Sequence, residues 1–221
     1  MQGLIVIGGG EHARVVIDAA RSQHWNVLGF VDPGICEETA IRLNVTRLGG
    51  DDSLTQSKYS DASFVLGVAG IGVTVQRRLI VERIGVDRAR WASVIHASAT
   101  VSSTALIEPG GVVLGGAVIN TGAHVGAHSI VNSAAVVEHD VRLGEFVHVG
   151  PGSALGGGTT VGQESYLGIG CRIRDHIALG NRTFVGMGAV VTKSFSDNAR
   201  LVGVPARNLL AIPPRASQKL K

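Results

Sequence analysis

Three consecutive residues, Glu138-His139-Asp140, and a further histidine nine positions on, His148, set two of the eight histidines of this 221-residue chain close to a pair of carboxylates, where a proton can be moved near neutral pH. Imidazole is the side chain whose ordinary pKa lies in that range. A carboxylate beside it can accept the second ring N–H, fix the ring and stabilise the imidazolium. Such a pair suits a general base that removes a proton from an amine or hydroxyl. The same residues can equally be a solvated histidine and carboxylate on a surface corner. His148, in Phe146-Val147-His148-Val149, can offer a ring N–H to a ligand or simply pack against a neighbour. His124 and His128 lie close enough in sequence to raise a metal reading.

A second set of polar positions lies near the start. Gly8-Gly9-Gly10 separates the apolar run Leu4-Ile5-Val6-Ile7 from Glu11-His12. A glycine turn between strand and helix can admit a phosphate to the helix N-terminus, although the full dinucleotide spacing is missing. Glu11 is an awkward neighbour for a diphosphate. Asp32-Pro33 ends the next apolar run, where a carboxylate can accept from a ribose hydroxyl or a base, or hold a turn. A third glycine segment is Gly67-Val68-Ala69-Gly70, and Arg77 and Arg78 beyond it read as charges on a helix face.

The elements that must position these residues are written as two periods. From Val101 to Val191 every sixth residue is aliphatic: Val101, Ile107, Val113, Ile119, Val125, Val131, Val137, Leu143, Val149, Leu155, Val161, Leu167, Ile173, Leu179, Val185 and Val191. Four residues after each stands a mostly small one, such as Ala117, Ala123, Ser129, Ser153 or Cys171. A period of six fits neither helix nor strand pair and marks a solenoid of hexapeptides, three to a coil. Half of these hexapeptides carry Gly directly after the aliphatic position, which suggests tight corners there. Residues in register repeat every eighteen. His124, His128, His139 and His148 are followed at that interval by Arg142, Phe146, Gly157 and Tyr166, so no column holds two histidines and no metal is expected.

Residues 1–90 alternate strand and helix instead. Strands are expected over Leu4–Ile7, Val27–Val31 and Phe64–Val68, and helices over Glu11–Ser22 and Val73–Ile84. A further helix start is expected at Asp51-Asp52-Ser53, and a linking strand at Trp91–Ile95. The expected architecture is α/β plus β: a small Rossmann-like domain over residues 1–92, a β-solenoid over 93–198, and a C-terminal segment and tail over 199–221.

Hydrophobic residues make up 45% of the chain but aromatics only 4%, so the core is aliphatic. The net charge of +3 is unclustered except in the tail Arg215 to Lys221, which gives no case for nucleic acid. Cys171 falls in a small-residue slot and Cys36 in a loop, with no disulfide framework. No run approaches the ~20 apolar residues of a membrane span, and the start lacks the basic residues of a signal peptide, so a cytoplasmic protein is expected.

Four stretches together resemble one family: Ile7-Gly8-Gly9-Gly10-Glu11-His12, Phe30-Val31-Asp32, Asn132 to Gly150, and Gly203-Val204-Pro205-Ala206. They are similar to the sialic-acid O-acetyltransferase group of sugar acyltransferases, which includes bacillosamine- and perosamine-type N-acetyltransferases. The resemblance implies a left-handed β-helix, a homotrimer with active sites between subunits, and acetyl-CoA lying in the groove between them. It implies His139 as general base with Asp140 behind it, and acetyl-CoA contacts from His148, Ile169 and Met187. It also implies a nucleotide-linked 4-amino sugar held by Gly10, Glu11, His12, Asp32, Pro33 and Gly70. O-acetylation of a sialic acid or glycan hydroxyl is the alternative within the family. A non-catalytic trimer that binds a nucleotide sugar is the alternative outside it.

Overall fold

The computed structural model describes residues 3–34 and 44–209. Cys36 and the basic tail from Arg215 lie outside these residues. The first unit is a parallel sheet of β1 (Gly3–Ile7), β2 (Asn26–Val31), β3 (Arg47–Gly49) and β4 (Ser63–Leu66), in the order β3-β2-β1-β4. Both faces are covered, which is why β1 is apolar at every position after Gly3. Leu4 and Val6 pack with Ala13, Val16, Ile17 and Ala20 of α1 (Glu11–Ser22). Ile5 and Ile7 face the other way, toward Ile80, Val81 and Ile84 of α2 (Thr74–Ile84).

Three local expectations need correction. The segment at Asp51–Thr55 is a 3-10 turn without a side-chain cap, not the start of an α-helix. Tertiary contacts hold it: Asp51 pairs with Arg83 at 2.7 Å, and a Cβ on Gly49 would meet the Ser53 hydroxyl at 2.3 Å. The strand expected to reach Val68 ends at Leu66, because Gly67 turns against Val6 and Ala13 in a space with no room for a side chain. Of the Trp91–Ile95 strand only Val94–Ile95 forms; Trp91 makes a single bridge to Phe64.

The second unit is a β-helix of two-residue strands with three faces. The first face stacks β5 (Val94–Ile95), β8 (Val112–Val113), β11 (Ile130–Val131), β14 (His148–Val149), β17 (Tyr166–Leu167), β20 (Phe184–Val185) and β22 (Arg200–Val202), and β23 (Arg207–Asn208) closes it antiparallel. The second stacks β6 (Thr100–Val101), β9 (Val118–Ile119), β12 (Val136–Val137), β15 (Ala154–Leu155), β18 (Arg172–Ile173) and β21 (Val190–Val191). The third stacks β7 (Leu106–Ile107), β10 (His124–Val125), β13 (Arg142–Leu143), β16 (Thr160–Val161) and β19 (Ala178–Leu179). Register is eighteen from β5 to β21, as in Val131 opposite Val149 and Val149 opposite Leu167, and shortens to sixteen where Phe184 meets Arg200. The second residue of each strand points into one continuous aliphatic core.

The corners show two separate demands on the chain. At Gly110 and at every sixth residue on to Gly188, φ is positive. Glycine fills half of these left-handed positions; His128, Ala134, Asp140, Phe146, Glu164, His176 and Arg182 fill the rest. The glycines directly after the aliphatic positions answer a different need. A Cβ on Gly144 would sit 2.6 Å from the Gln163 nitrogen, and one on Gly156 2.5 Å from that of Asp175. They allow coils to approach rather than supplying φ. The small column four after the aliphatic one also includes hydroxyls that bond corners together: Ser129 Oγ donates to Gly144 O at 2.8 Å and accepts from the Val147 N–H at 2.9 Å.

The two units share a buried junction. Val94, Val112, Leu114 and Ile130 of the first face join the cluster under α1. α2 and the loop after it run along the corner between the third and first faces. There Arg77 Nη2 donates to the His128 carbonyl, Arg78 pairs with the buried Glu164, and Arg88 pairs with Glu108 and, at 3.5 Å, with Glu145. Arg77 is therefore not a helix-face charge: it is 0% exposed. The His128 ring stacks on Phe146 at 5.0 Å and meets Trp91 edge-on at 4.8 Å.

Leu167→Ala should lower unfolding free energy by about 2–5 kcal/mol, because a rigid column cannot collapse into the cavity. Arg142→Ala, on the outside of the next face, should change it by less than about 0.5 kcal/mol. Chemical denaturation of both variants checks the assignment of inside and outside.

Candidate active site

His139 and Asp140 occupy the corner between β12 and β13. Asp140 takes the left-handed position, φ 59°, which a short polar side chain tolerates better than most. His139 Nδ1 lies 2.9 Å from Asp140 Oδ2, so Nδ1–H donates and Nε2 is left as the acceptor. Both side chains are exposed. The hydrogen bond to Asp140, with the Asp140 and Glu138 charges, raises the His139 pKa above its ordinary 6.5. Glu138 is itself held by the Asn120 amide at 2.9 Å. The ring leans over the next coil: a Cβ on Gly157 would lie 2.3 Å from Nε2. Gly157 thus leaves room for Nε2, and its φ is not positive, so its smallness serves space rather than backbone.

His148 lies elsewhere, on the outward side of the first face at the junction, and is 5% exposed. Its ring is 6.4 Å from that of His12 and meets Tyr166 edge-on at 5.0 Å. The Ser133 N–H donates to Asn132 Oδ1 at 2.8 Å, which turns the Asn132 amide nitrogen toward His148 Nε2 at 3.2 Å. Nε2 therefore accepts, and Nδ1 carries the proton. That buried Nδ1, His12 Nε2, His128 Nδ1, and Arg77 Nε and Nη1 have no protein partner. Burial, then the Arg77 charge, pushes His12 and His128 down to about 4 and His148 to about 3. Burial alone lowers Arg77 to about 9. These histidines are neutral near pH 7.

Ile169 and Met187 stand eighteen apart on the corner between the first and second faces, 53% and 73% exposed. The residues expected to hold a nucleotide gather at the carboxyl ends of β1, β2 and β4. Gly10 caps α1, and a Cβ there would meet nothing within 4 Å. Glu11 is exposed in the first turn, while His12 turns inward toward His148. Asp32 accepts from the Gly9 and Gly34 N–H groups, both at 2.9 Å, so its carboxylate ties the glycine turn to the turn at Pro33. Gly70 has φ +149° in the loop before α2. The sequence pattern missed Arg77, which looks like any helix-face cation, and the tautomer-setting role of Asn132. The eighteen-residue register pointed to Gly157. Among the described residues no group of three or more His, Cys, Asp or Glu could hold a metal, and no helix is long and apolar enough to cross a membrane. His124 instead bonds Glu108 at 2.7 Å, and Cys171 is buried beside Ser153.

Residues 3–84 match the family described as PglD N-terminal domain. PerB from Caulobacter crescentus, solved with CoA and GDP-perosamine, is 34% identical over 94% of this chain and 97% of that one, with a TM-score of 0.83. The chain belongs to the bacillosamine- and perosamine-type sugar N-acetyltransferases. The acetyltransferase domain of PglB from Neisseria gonorrhoeae FA1090, solved with acetyl coenzyme A, is 32% identical over 94% of this chain and 99% of that one, TM-score 0.83. WeeI from Acinetobacter baumannii AYE, at 22% identity, 95% of this chain, 100% of that one and TM-score 0.72, shares the fold. No curated protein matches the chain in sequence. The β-helix is the left-handed one of this family.

Gly157→Ala should leave the melting temperature within a few degrees of wild type. It should lower kcat by about 100-fold through displacement of His139, as read by thermal unfolding beside steady-state kinetics. The junction histidines set a pH dependence of stability. They titrate near 6.5 when unfolded and at about 3 to 4 when folded, so below pH 6.5 the unfolded chain binds more protons. Their contribution is complete above pH 6.5 and is lost as pH falls toward 4. Calorimetric proton uptake on unfolding at pH 5 should drop by about one proton in His128→Gln.

Proposed function

We propose that this chain transfers an acetyl group from acetyl-CoA to the amino group of a nucleotide-linked amino sugar, with His139 as general base. The observation that carries the base assignment is the His139 Nδ1–Asp140 hydrogen bond with Nε2 left open over Gly157. The neutral amine attacks the thioester carbonyl as Nε2 takes its proton. The carbon–sulfur bond then breaks, and the proton passes to the departing CoA thiolate. No covalent enzyme intermediate is required: Cys171 is buried, and burial pushes its thiol pKa up. His148 is the contact on the acetyl-CoA side; its Nδ1–H is buried and without a protein partner, a donor free for a ligand that enters the junction. Ile169 and Met187 offer backbone contacts to the pantetheine arm. Gly10, Glu11, His12, Asp32, Pro33 and Gly70 hold the nucleotide side of the acceptor.

The same geometry supports a homotrimer. In one chain His139, His148 and the Ile169–Met187 corner fall on three different parts of the triangular section. A site that unites them is assembled when the His139 corner of one subunit meets the first-face corner of the next. Solved relatives support both substrates, since PerB was captured with CoA and GDP-perosamine, including variants in which one histidine is replaced. Acetyl-CoA and nucleotide sugars as substrates favour a cytoplasmic enzyme of glycan or polysaccharide biosynthesis.

The test is acetyl-CoA-dependent thiol release against UDP-, GDP- and dTDP-linked 4-amino sugars, with free sialic acid as comparator. One nucleotide-linked amine should turn over, and His139→Ala should lose about 10²–10⁴-fold in kcat. The acid limb of kcat/KM should lie above pH 6.5, where protonation of His139 removes the base, and Asp140→Asn should move it to lower pH. Release with sialic acid alone would reassign the reaction to O-acetylation.

A further inference from the structure

The outward residues of the first face change character along the stack. Val94, Val112 and Ile130 are buried under the α/β unit; His148, Tyr166, Phe184 and Arg200 follow at intervals of eighteen or sixteen. Tyr166 and Phe184 stack with rings 5.6 Å apart and 10° from parallel, and the Arg200 guanidinium lies 5.3 Å over Phe184. Opposite this ladder stand Ile71 and Gly72 of the loop after β4, and the first turn of α2. Between them is a cleft of about 230 Å³.

The charges in the cleft are unbalanced. Glu164 lines it but is 6% exposed and already engaged by Arg78, with Arg182 at 4.0 Å. Arg182 gives its Nε–H to Asn198. No ion pair among the described residues engages Arg200. Val73 precedes α2 and provides no side-chain cap, so the first-turn amides add a further positive end. An aromatic wall, a guanidinium without a carboxylate and an uncapped helix end together suit a ring with an apolar face that carries phosphate. One wall of the cleft, Ile71 and Gly72, belongs to the loop that leaves the carboxyl end of β4, the edge where parallel α/β units take their ligands.

We infer that this cleft holds the sugar–diphosphate part of the acceptor, with the apolar face of the sugar on Tyr166 and Phe184 and a phosphate between Arg200 and the first turn of α2. Phe184 and Arg200 are then specificity residues supplied by the solenoid to a ligand whose nucleoside sits on the α/β unit. The inference rests on the acetyltransferase reading for the identity of the sugar, but not for the anion.

The experiment measures Arg200→Gln and Phe184→Ala in the full-length protein, with thermal unfolding as a check on folding. Arg200→Gln should raise KM for the nucleotide sugar about 10- to 100-fold, the effect of one charge-assisted hydrogen bond. KM for acetyl-CoA and kcat at saturation should stay within about twofold. Phe184→Ala should weaken binding of the nucleotide sugar but not of the parent nucleoside diphosphate, read by titration calorimetry. An unchanged acceptor KM in Arg200→Gln, or a loss that falls on acetyl-CoA instead, overturns the assignment. If wild type turns over no nucleotide-linked amine, the functional reading fails by itself, and inorganic pyrophosphate becomes the probe. Binding to wild type that is lost in Arg200→Gln sustains the cleft as an anion site; equal binding to both, or to neither, ends it.

Discussion

The constraint on which everything else depends is the corner that recurs every six residues. One residue in each hexapeptide takes positive φ, from Gly110 to Gly188 without a break, and three corners bring the chain back one coil further on. The register of eighteen that follows makes the outer surface a lattice of columns. A side chain's reach then depends on what stands one coil away. His139 is usable because the next member of its column is Gly157; Asp140 fits because Gly122, one coil before it, leaves space for its carboxylate. The corner geometry has a steric cost at each non-glycine, which argues that residues such as Asp140 and Glu164 are there for their side chains. Asp140 orients His139 and Glu164 anchors Arg78.

The second organising feature is electrostatic. Arg77 places a cation with no carboxylate at the buried junction, beside three histidines that burial and that charge keep neutral. A neutral imidazole keeps one donor and one acceptor nitrogen. For His148 the Asn132 amide decides which is which, through its own bond from Ser133. The junction therefore does more than join two units: it sets the protonation and tautomer of a ring that faces the α/β unit.

Much of this was written in the sequence, because a period of six with a strict aliphatic column leaves little freedom. The strands, their register and the inward residues follow from it, as does the openness of His139 above Gly157. The α/β unit was legible where apolar runs were long, in β1, α1 and α2. It failed where tertiary contacts replaced local propensity, as in the 3-10 turn at Asp51–Thr55 and the short strand β3. The glycine reading was half right: those after the aliphatic column serve coil approach, while positive φ falls two residues later, often on other residue types. Arg77 was illegible because Arg77 and Arg78 are adjacent, identical in type, and differ only in which way the helix turns them. One is buried against the solenoid; the other pairs with Glu82 and Glu164 across its edge.

The contrast between the histidines bears on how such a site would respond to acid. His139 is exposed and its pKa is raised by Asp140; His12 and His148 are buried and pushed down to about 4 and 3. As pH falls, His139 takes up its proton first, already above pH 6.5, while His12 and His148 stay neutral until pH approaches 4 and 3. A falling pH therefore charges the ring at the open corner while the junction's donors and acceptors stay as they are. The arrangement separates a ring that exchanges its proton readily from rings held in one protonation state. It does so by position: a corner open to solvent for His139, and the covered side of a face, beside a fixed cation, for His12 and His148.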